Sequence, residues 1–175
     1  MATTMNTSAS RRNAHLRLDD AALLKECREE RYRSSGPGGQ RRNKVETALR
    51  LHHGPTGVSV HAQESRYLRV NRTRALRRLR ERIALEVHAP FDLGAPELPP
   101  EFLAQRGPKG ALAVNRRNPS YPCVAATALD ALAAAEGSYA QAARALGLTT
   151  SQLLRFLRSD RELQRATERV RTPRK

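Results

Sequence analysis

The chain has 175 residues, of which 32 are Lys or Arg and 17 are Asp or Glu, giving a formal net charge of +15. That length allows one or two small domains and excludes a large multidomain enzyme. The positive excess points to a polyanionic partner, most simply nucleic acid, and no apolar run approaches the roughly 20 residues that span a bilayer.

Hydrophobic residues make up 39% of the chain and aromatics 4%, with no Trp, so the cores must be built from Leu, Val and Ala. All but four of the basic residues are arginine, the lysines being Lys25, Lys44, Lys109 and Lys175. Arg makes planar, bidentate contacts with phosphates. Cys27 and Cys123 lie far apart and neither belongs to a Cys-x-x-Cys pair. A disulfide framework or a zinc site is not expected, and a reducing cytosol fits.

Residues 1–18 hold Ser, Thr and Arg with no acid, and read as a disordered basic tail. A transit peptide is the alternative, but apolar residues are too sparse for a strongly amphipathic helix. Asp19-Asp20 ahead of Ala21, Ala22, Leu23 and Leu24 predicts a short helix with acids in its first turn. Residues 27–33 alternate weakly and fit an edge strand. Residues 48–53 and 57–62 alternate with period two, and Gly54-Pro55-Thr56-Gly57 between them predicts a hairpin turn. Residues 65–87 carry Leu68, Leu76, Leu79, Ile83 and Val87 as a helical stripe, with Arg66, Arg69, Arg72, Arg74, Arg77, Arg78, Arg80 and Arg82 opposite.

The first unit, residues 19–88, thus reads α-β-loop-β-β-α. Residues 89–122 are rich in Pro and Gly and read as an extended linker. Residues 123–160 are Ala- and Leu-rich and read as helices, with Ser138 as the N-cap of a helix over 139–146. Gly147 marks a turn, and Thr149 or Thr150 can cap a helix over 151–158. Residues 161–175 read as a basic tail. The fold class expected is α+β: a small mixed domain, a linker and a C-terminal helical unit.

The segment that carries chemistry is Arg33-Ser34-Ser35-Gly36-Pro37-Gly38-Gly39-Gln40, followed by Arg41-Arg42-Asn43-Lys44. Gly36, Gly38 and Gly39 let backbone approach another molecule closely, and Pro37 limits the loop's freedom. Gln40 offers a backbone N–H, a carbonyl and two amide donors but no titratable proton. Arg33, Arg41, Arg42 and Lys44 supply phosphate contacts beside it. The loop lacks the Gly-Lys-Ser/Thr ending of a P-loop and is not a dinucleotide fingerprint.

Arg33–Gln40 closely resembles the Gly-Gly-Gln signature of the catalytic domain of class I peptide chain release factors. Asn43-Lys44, the turn His53-Gly54-Pro55-Thr56-Gly57-Val58, and Arg66, Asn71, Arg72 and Ala75 match further parts of that domain, in order, over about residues 19–88. Arg42 stands where an apolar residue is usual, and Tyr67-Leu68 where Ser-Gln is common, which suggests a divergent subfamily. The resemblance implies that Gln40, carried by Gly38 and Gly39 and supported by Ser34, Ser35, Gly36 and Pro37, promotes water attack on the ester of peptidyl-tRNA. The site it implies is the peptidyl transferase centre of the ribosome, formed by 23S-type rRNA. Arg66, Arg69 and Arg72 join the loop's cations as RNA contacts. No cofactor is expected, and His52, His53, His61 and His88 lack metal-ligand spacing.

A release factor that reads stop codons is about twice this length, and only residues 1–18 precede the first unit here. The resemblance therefore implies the short, codon-independent, ribosome-rescue type, acting as a monomer in the cytoplasm without a membrane. The string Ala142-Ala143-Arg144-Ala145-Leu146-Gly147-Leu148, with Leu153 and Leu157, resembles a helix-turn-helix of the Fis type. Its second helix would expose Ser151, Gln152, Arg155 and Arg158 to nucleic acid or the ribosome. A three-helix bundle that docks on rRNA or a ribosomal protein is the competing reading. A non-catalytic nucleic-acid-binding protein is the alternative for the whole chain.

Overall fold

A computed structural model describes residues 3–33, 46–107 and 110–172. The fold is α+β: eight helices and one three-stranded antiparallel sheet among the described residues. The chain divides into two compact units, Arg17–Ile83 and Met1–Leu16 with Ala84–Lys175.

In the first of these, α2 (Asp20–Lys25) starts where Asp19 accepts a hydrogen bond from the Ala22 N–H, as the paired acids predict. It leads into β1 (Cys27–Tyr32), β2 (Ala48–His53) and β3 (Ser59–Ala62), in sheet order β1-β2-β3. Register sets Cys27 opposite His53 and Tyr32 opposite Ala48, then Leu49 opposite Ala62 and Leu51 opposite Val60. Period-two alternation therefore puts Leu49, Leu51, Val60 and Ala62 on one face, and all four are buried. The β2–β3 turn is the predicted one. Gly57 has φ +70°, and its N–H donates to the His53 carbonyl.

Helix α3 (Leu68–Glu86) follows with Ala75, Leu76, Leu79 and Ile83 buried. It is tied to the sheet by Arg72 on Glu29 and by Arg78 on the His61 carbonyl.

The other unit is helical: α4 (Pro100–Ala104), α5 (Tyr121–Ala134), α6 (Tyr139–Ala145), α7 (Thr150–Leu157) and α8 (Arg161–Arg171). α5 is the centre, buried along twelve successive residues from Tyr121 to Leu132. A helix apolar all round must be covered on every side. α4, α6, α7 and α8 cover it, with Phe102, Leu146, Leu153, Leu157 and Leu163 in one core.

Three stretches differ from the sequence expectation. Residues Thr3–Arg17, expected as a disordered tail, form helix α1. It is held by Leu16, which is buried, and by a polar anchor: buried Arg12 pairs with buried Asp130 of α5 at 2.6 Å and donates to the Val87 carbonyl. Residues 89–122, expected as an extended linker, hold α4, whose Phe102 is fully buried, while Phe91, Leu93 and Leu98 pack on the same core. Pro and Gly prevent a long regular element there but do not prevent packing. Residues 161–175, expected as a tail, contain α8, capped by Asp160 and buried through Leu163, Ala166 and Thr167.

Candidate active site

The sequence motif connects β1 to β2. Ser34, Ser35, Gly36, Pro37, Gly38, Gly39, Gln40, Arg41, Arg42 and Lys44 lie outside the described residues; the flanks are described. On one side β1 ends at Tyr32, paired with Ala48 at the start of β2. Beyond that pair, Arg33 Nε stands 3.6 Å from Glu46 Oε1, a side-chain contact between the two flanks past the end of the strand pairing. Both partners are solvent-exposed, which makes this a weak clamp.

A stronger tie holds Thr47. Asn71 of α3 is fully buried, and its amide donates to the Thr47 carbonyl at 2.7 Å and the Ser65 carbonyl at 2.8 Å. Its Oδ1 accepts the Ser65 N–H at 2.9 Å. One side chain thereby joins the chain just after the motif to the segment that opens α3. Buried amides must satisfy such groups, and three well-made bonds here do so.

At the far end of β2 sits the matched turn. His53 is fully buried, with Nδ1 2.7 Å from Thr56 Oγ1 and Nε2 2.9 Å from Glu26 Oε2. Both ring nitrogens thus have a hydrogen-bond partner. The Gly54 N–H adds a bond to the Glu26 carbonyl, so α2, β2 and the turn are locked together. Cys27 stands opposite His53. Burial and then the Glu26 charge push its thiol up to about 11.

Of the arginines expected to meet RNA, Arg69 is exposed, and Arg66 lies over the Tyr67 ring with its guanidinium carbon 4.9 Å from the centroid. Arg72 instead makes a two-pronged bond to Glu29, Nε to Oε2 at 2.8 Å and Nη2 to Oε1 at 2.9 Å. Those bonds from Arg72 hold the Glu29 carboxyl below the ordinary carboxylate range, against the opposing effect of its burial. Arg78 is likewise turned onto Glu64. The arginine face of α3 is thus partly a set of ties to the sheet.

In the helical unit, Thr149 rather than Thr150 caps α7, in a full capping box. Gln152 N–H donates to Thr149 Oγ1, and Gln152 Oε1 accepts from the Thr149 N–H at 2.8 Å. Gln152 therefore serves the cap, while Arg155 and Arg158 stay exposed. The periodicity found the arginines. It missed Glu29 as a partner of Arg72, although the paired acids Glu29 and Glu30 of β1 were the available signal.

Residues 21–90 match the family model described as the RF-1 domain. A 60-residue stretch is 48% identical to peptide chain release factor 1 of Streptococcus thermophilus and covers 34% of this chain and 17% of that relative. Peptide chain release factor 1 of Streptococcus agalactiae is 47% identical over the same length, with the same coverage of both chains. The match thus spans about one sixth of the relatives' own length.

Proposed function

We propose that this protein promotes ribosome-dependent hydrolysis of peptidyl-tRNA, releasing the nascent peptide. The observation that carries this is the RF-1 domain match over residues 21–90, with an intact Gly38-Gly39-Gln40 inside it. In this reading Gln40 binds and orients water at the ester carbon and donates to the oxyanion that forms. Water adds to the carbonyl, the bond to the tRNA ribose oxygen breaks, and the products are a peptide carboxylate and a ribose hydroxyl. Gln40 has no titratable proton, so its contribution is positioning and stabilisation of developing charge. Ribosomal RNA at the peptidyl transferase centre forms the rest of the site, so the free protein is close to inert.

We further propose that release is independent of a stop codon and serves stalled ribosomes in the cytoplasm. The residues beyond the matched domain support this, being a compact helical unit with exposed arginines that is suited to placement on RNA. Arg33, Arg41, Arg42, Lys44, Arg66 and Arg69 contact RNA around the loop, and Arg72 acts through Glu29. Among the described residues no helix is long and apolar enough to cross a membrane.

The test adds the protein to ribosomes stalled on mRNA truncated after the P-site codon and follows peptide release. Ribosomes paused on a stop codon or a sense codon serve as comparison. Release favouring truncated mRNA is expected. Release confined to stop codons would replace rescue with ordinary termination. No release from any complex, with binding retained, would favour a non-catalytic ribosome- or nucleic-acid-binding protein.

A further inference from the structure

The helical unit contains a stretch without acids: no Asp or Glu lies between Glu136 and Asp160. Arginines bordering it find acids, Arg116 on Asp160 at 3.2 Å and Arg165 on Glu162 at 2.8 Å. Within it, Arg144, Arg155 and Arg158 are exposed and form no ion pair among the described residues. Ser151 and Arg155 of α7 and its C-cap residue Arg158 stand at i, i+4 and i+7 and share one face. The other face, Leu153, Phe156 and Leu157, is sunk in the core. The helix is also held firmly. Thr149 caps it, and Arg106 Nη2 donates to the Gly147 carbonyl at 2.7 Å in the turn that precedes it.

We propose that this face of α7 docks on the backbone of double-helical RNA. Arg155 and Arg158 take phosphates, and the hydroxyl of Ser151 meets a ribose hydroxyl across the minor groove. This assignment rests on the ribosomal role proposed above, which makes RNA the polyanion at hand. Unpaired guanidinium groups match phosphate oxygens by charge and by fork geometry. Duplex RNA has a deep, narrow major groove and a wide, shallow minor groove edged by 2′-hydroxyls. α7 is eight residues, about 12 Å of helix, and opens with short hydroxyl side chains. Such a helix lies across a shallow groove without having to enter a narrow one. The sequence pattern groups Gln152 with these arginines. The capping box removes it from the contact set, and Arg144 on α6 adds a third unpaired cation in the same acid-free stretch.

The test measures fluorescence anisotropy of the full chain with a labelled RNA duplex of about 20 base pairs and with the DNA duplex of the same sequence, over a salt series. The double variant Arg155→Gln, Arg158→Gln changes two exposed side chains, and its circular dichroism and melting are compared with wild type. The expected result is at least a tenfold loss of RNA affinity. The slope of log K against log salt should fall by roughly 0.7–0.9 for each phosphate contact removed. Unchanged RNA affinity in the folded variant would overturn the proposal. So would tighter binding to DNA than to RNA that the same variant abolishes. Peptide release run in parallel separates the two readings: intact release with unchanged RNA affinity sinks only this surface, and lost affinity without any release sinks only the catalytic reading.

Discussion

Arg72 and Glu29 are joined by two parallel hydrogen bonds of 2.8 and 2.9 Å, linking α3 to β1. Glu29 faces the register position of Leu51 and so lies on the buried face of the sheet. Side-chain exposure is 31% for Arg72 and 16% for Glu29, so water screens the pair only in part. Arg72→Ala should cost about 1–3 kcal/mol in urea unfolding. If Arg72 served only RNA, the substitution would leave stability unchanged.

The same pair sets a pH dependence. The Glu29 carboxyl titrates below its ordinary 4.5 in the folded protein, chiefly because of the Arg72 hydrogen bonds. The unfolded chain therefore binds its proton first as pH falls. The stabilisation is complete above 4.5 and is lost as pH drops through the lower folded value. Glu29→Gln should flatten the stability profile below 4.5 relative to wild type. Parallel profiles for the two proteins would contradict this.

Asn71 holds Thr47 next to the motif. Asn71→Ala strands two carbonyls and one N–H in a buried place. A loss of about 2–3 kcal/mol is expected, with slower peptide release at temperatures where the variant is still folded. Normal release by a destabilised variant would confine Asn71 to a structural role.

Asp130 is buried with Arg12 and also accepts the Ala89 N–H at 3.0 Å. Asp130→Ala leaves a buried guanidinium without its counter-charge, and about 3–5 kcal/mol should be lost. Asp130→Ala combined with Arg12→Met should recover part of it, because both charges then go. A double variant worse than the sum of the singles would contradict that account.

Much of this fold could be read from the residues. His53-Gly54-Pro55-Thr56-Gly57 dictated the hairpin turn, Asp19 and Ser138 the starts of α2 and α6, and the leucine stripe the buried face of α3. Helix α1 was not legible, because its polar anchor is a buried Arg12–Asp130 pair 118 residues apart in sequence, and apolar periodicity carries no trace of that. The packing of residues 89–122 was hidden for a related reason: single residues such as Phe102 anchor it, without a repeating pattern. At the candidate site the Gly38-Gly39-Gln40 motif is legible as a string of residues and lies outside the described residues. The division of the α3 arginines into ties and free cations depended on which acids the sheet brings beside them, which only the register reveals.

The most direct test of the central claim is the single-turnover rate of peptide release with Gln40→Ala, on ribosomes stalled on truncated mRNA at saturating protein. Loss of one donor to a developing oxyanion should slow release by about 10²–10³-fold. Binding to the ribosome and thermal stability should stay as in wild type. Release at the wild-type rate would contradict a catalytic role for Gln40 and, with it, the proposed activity.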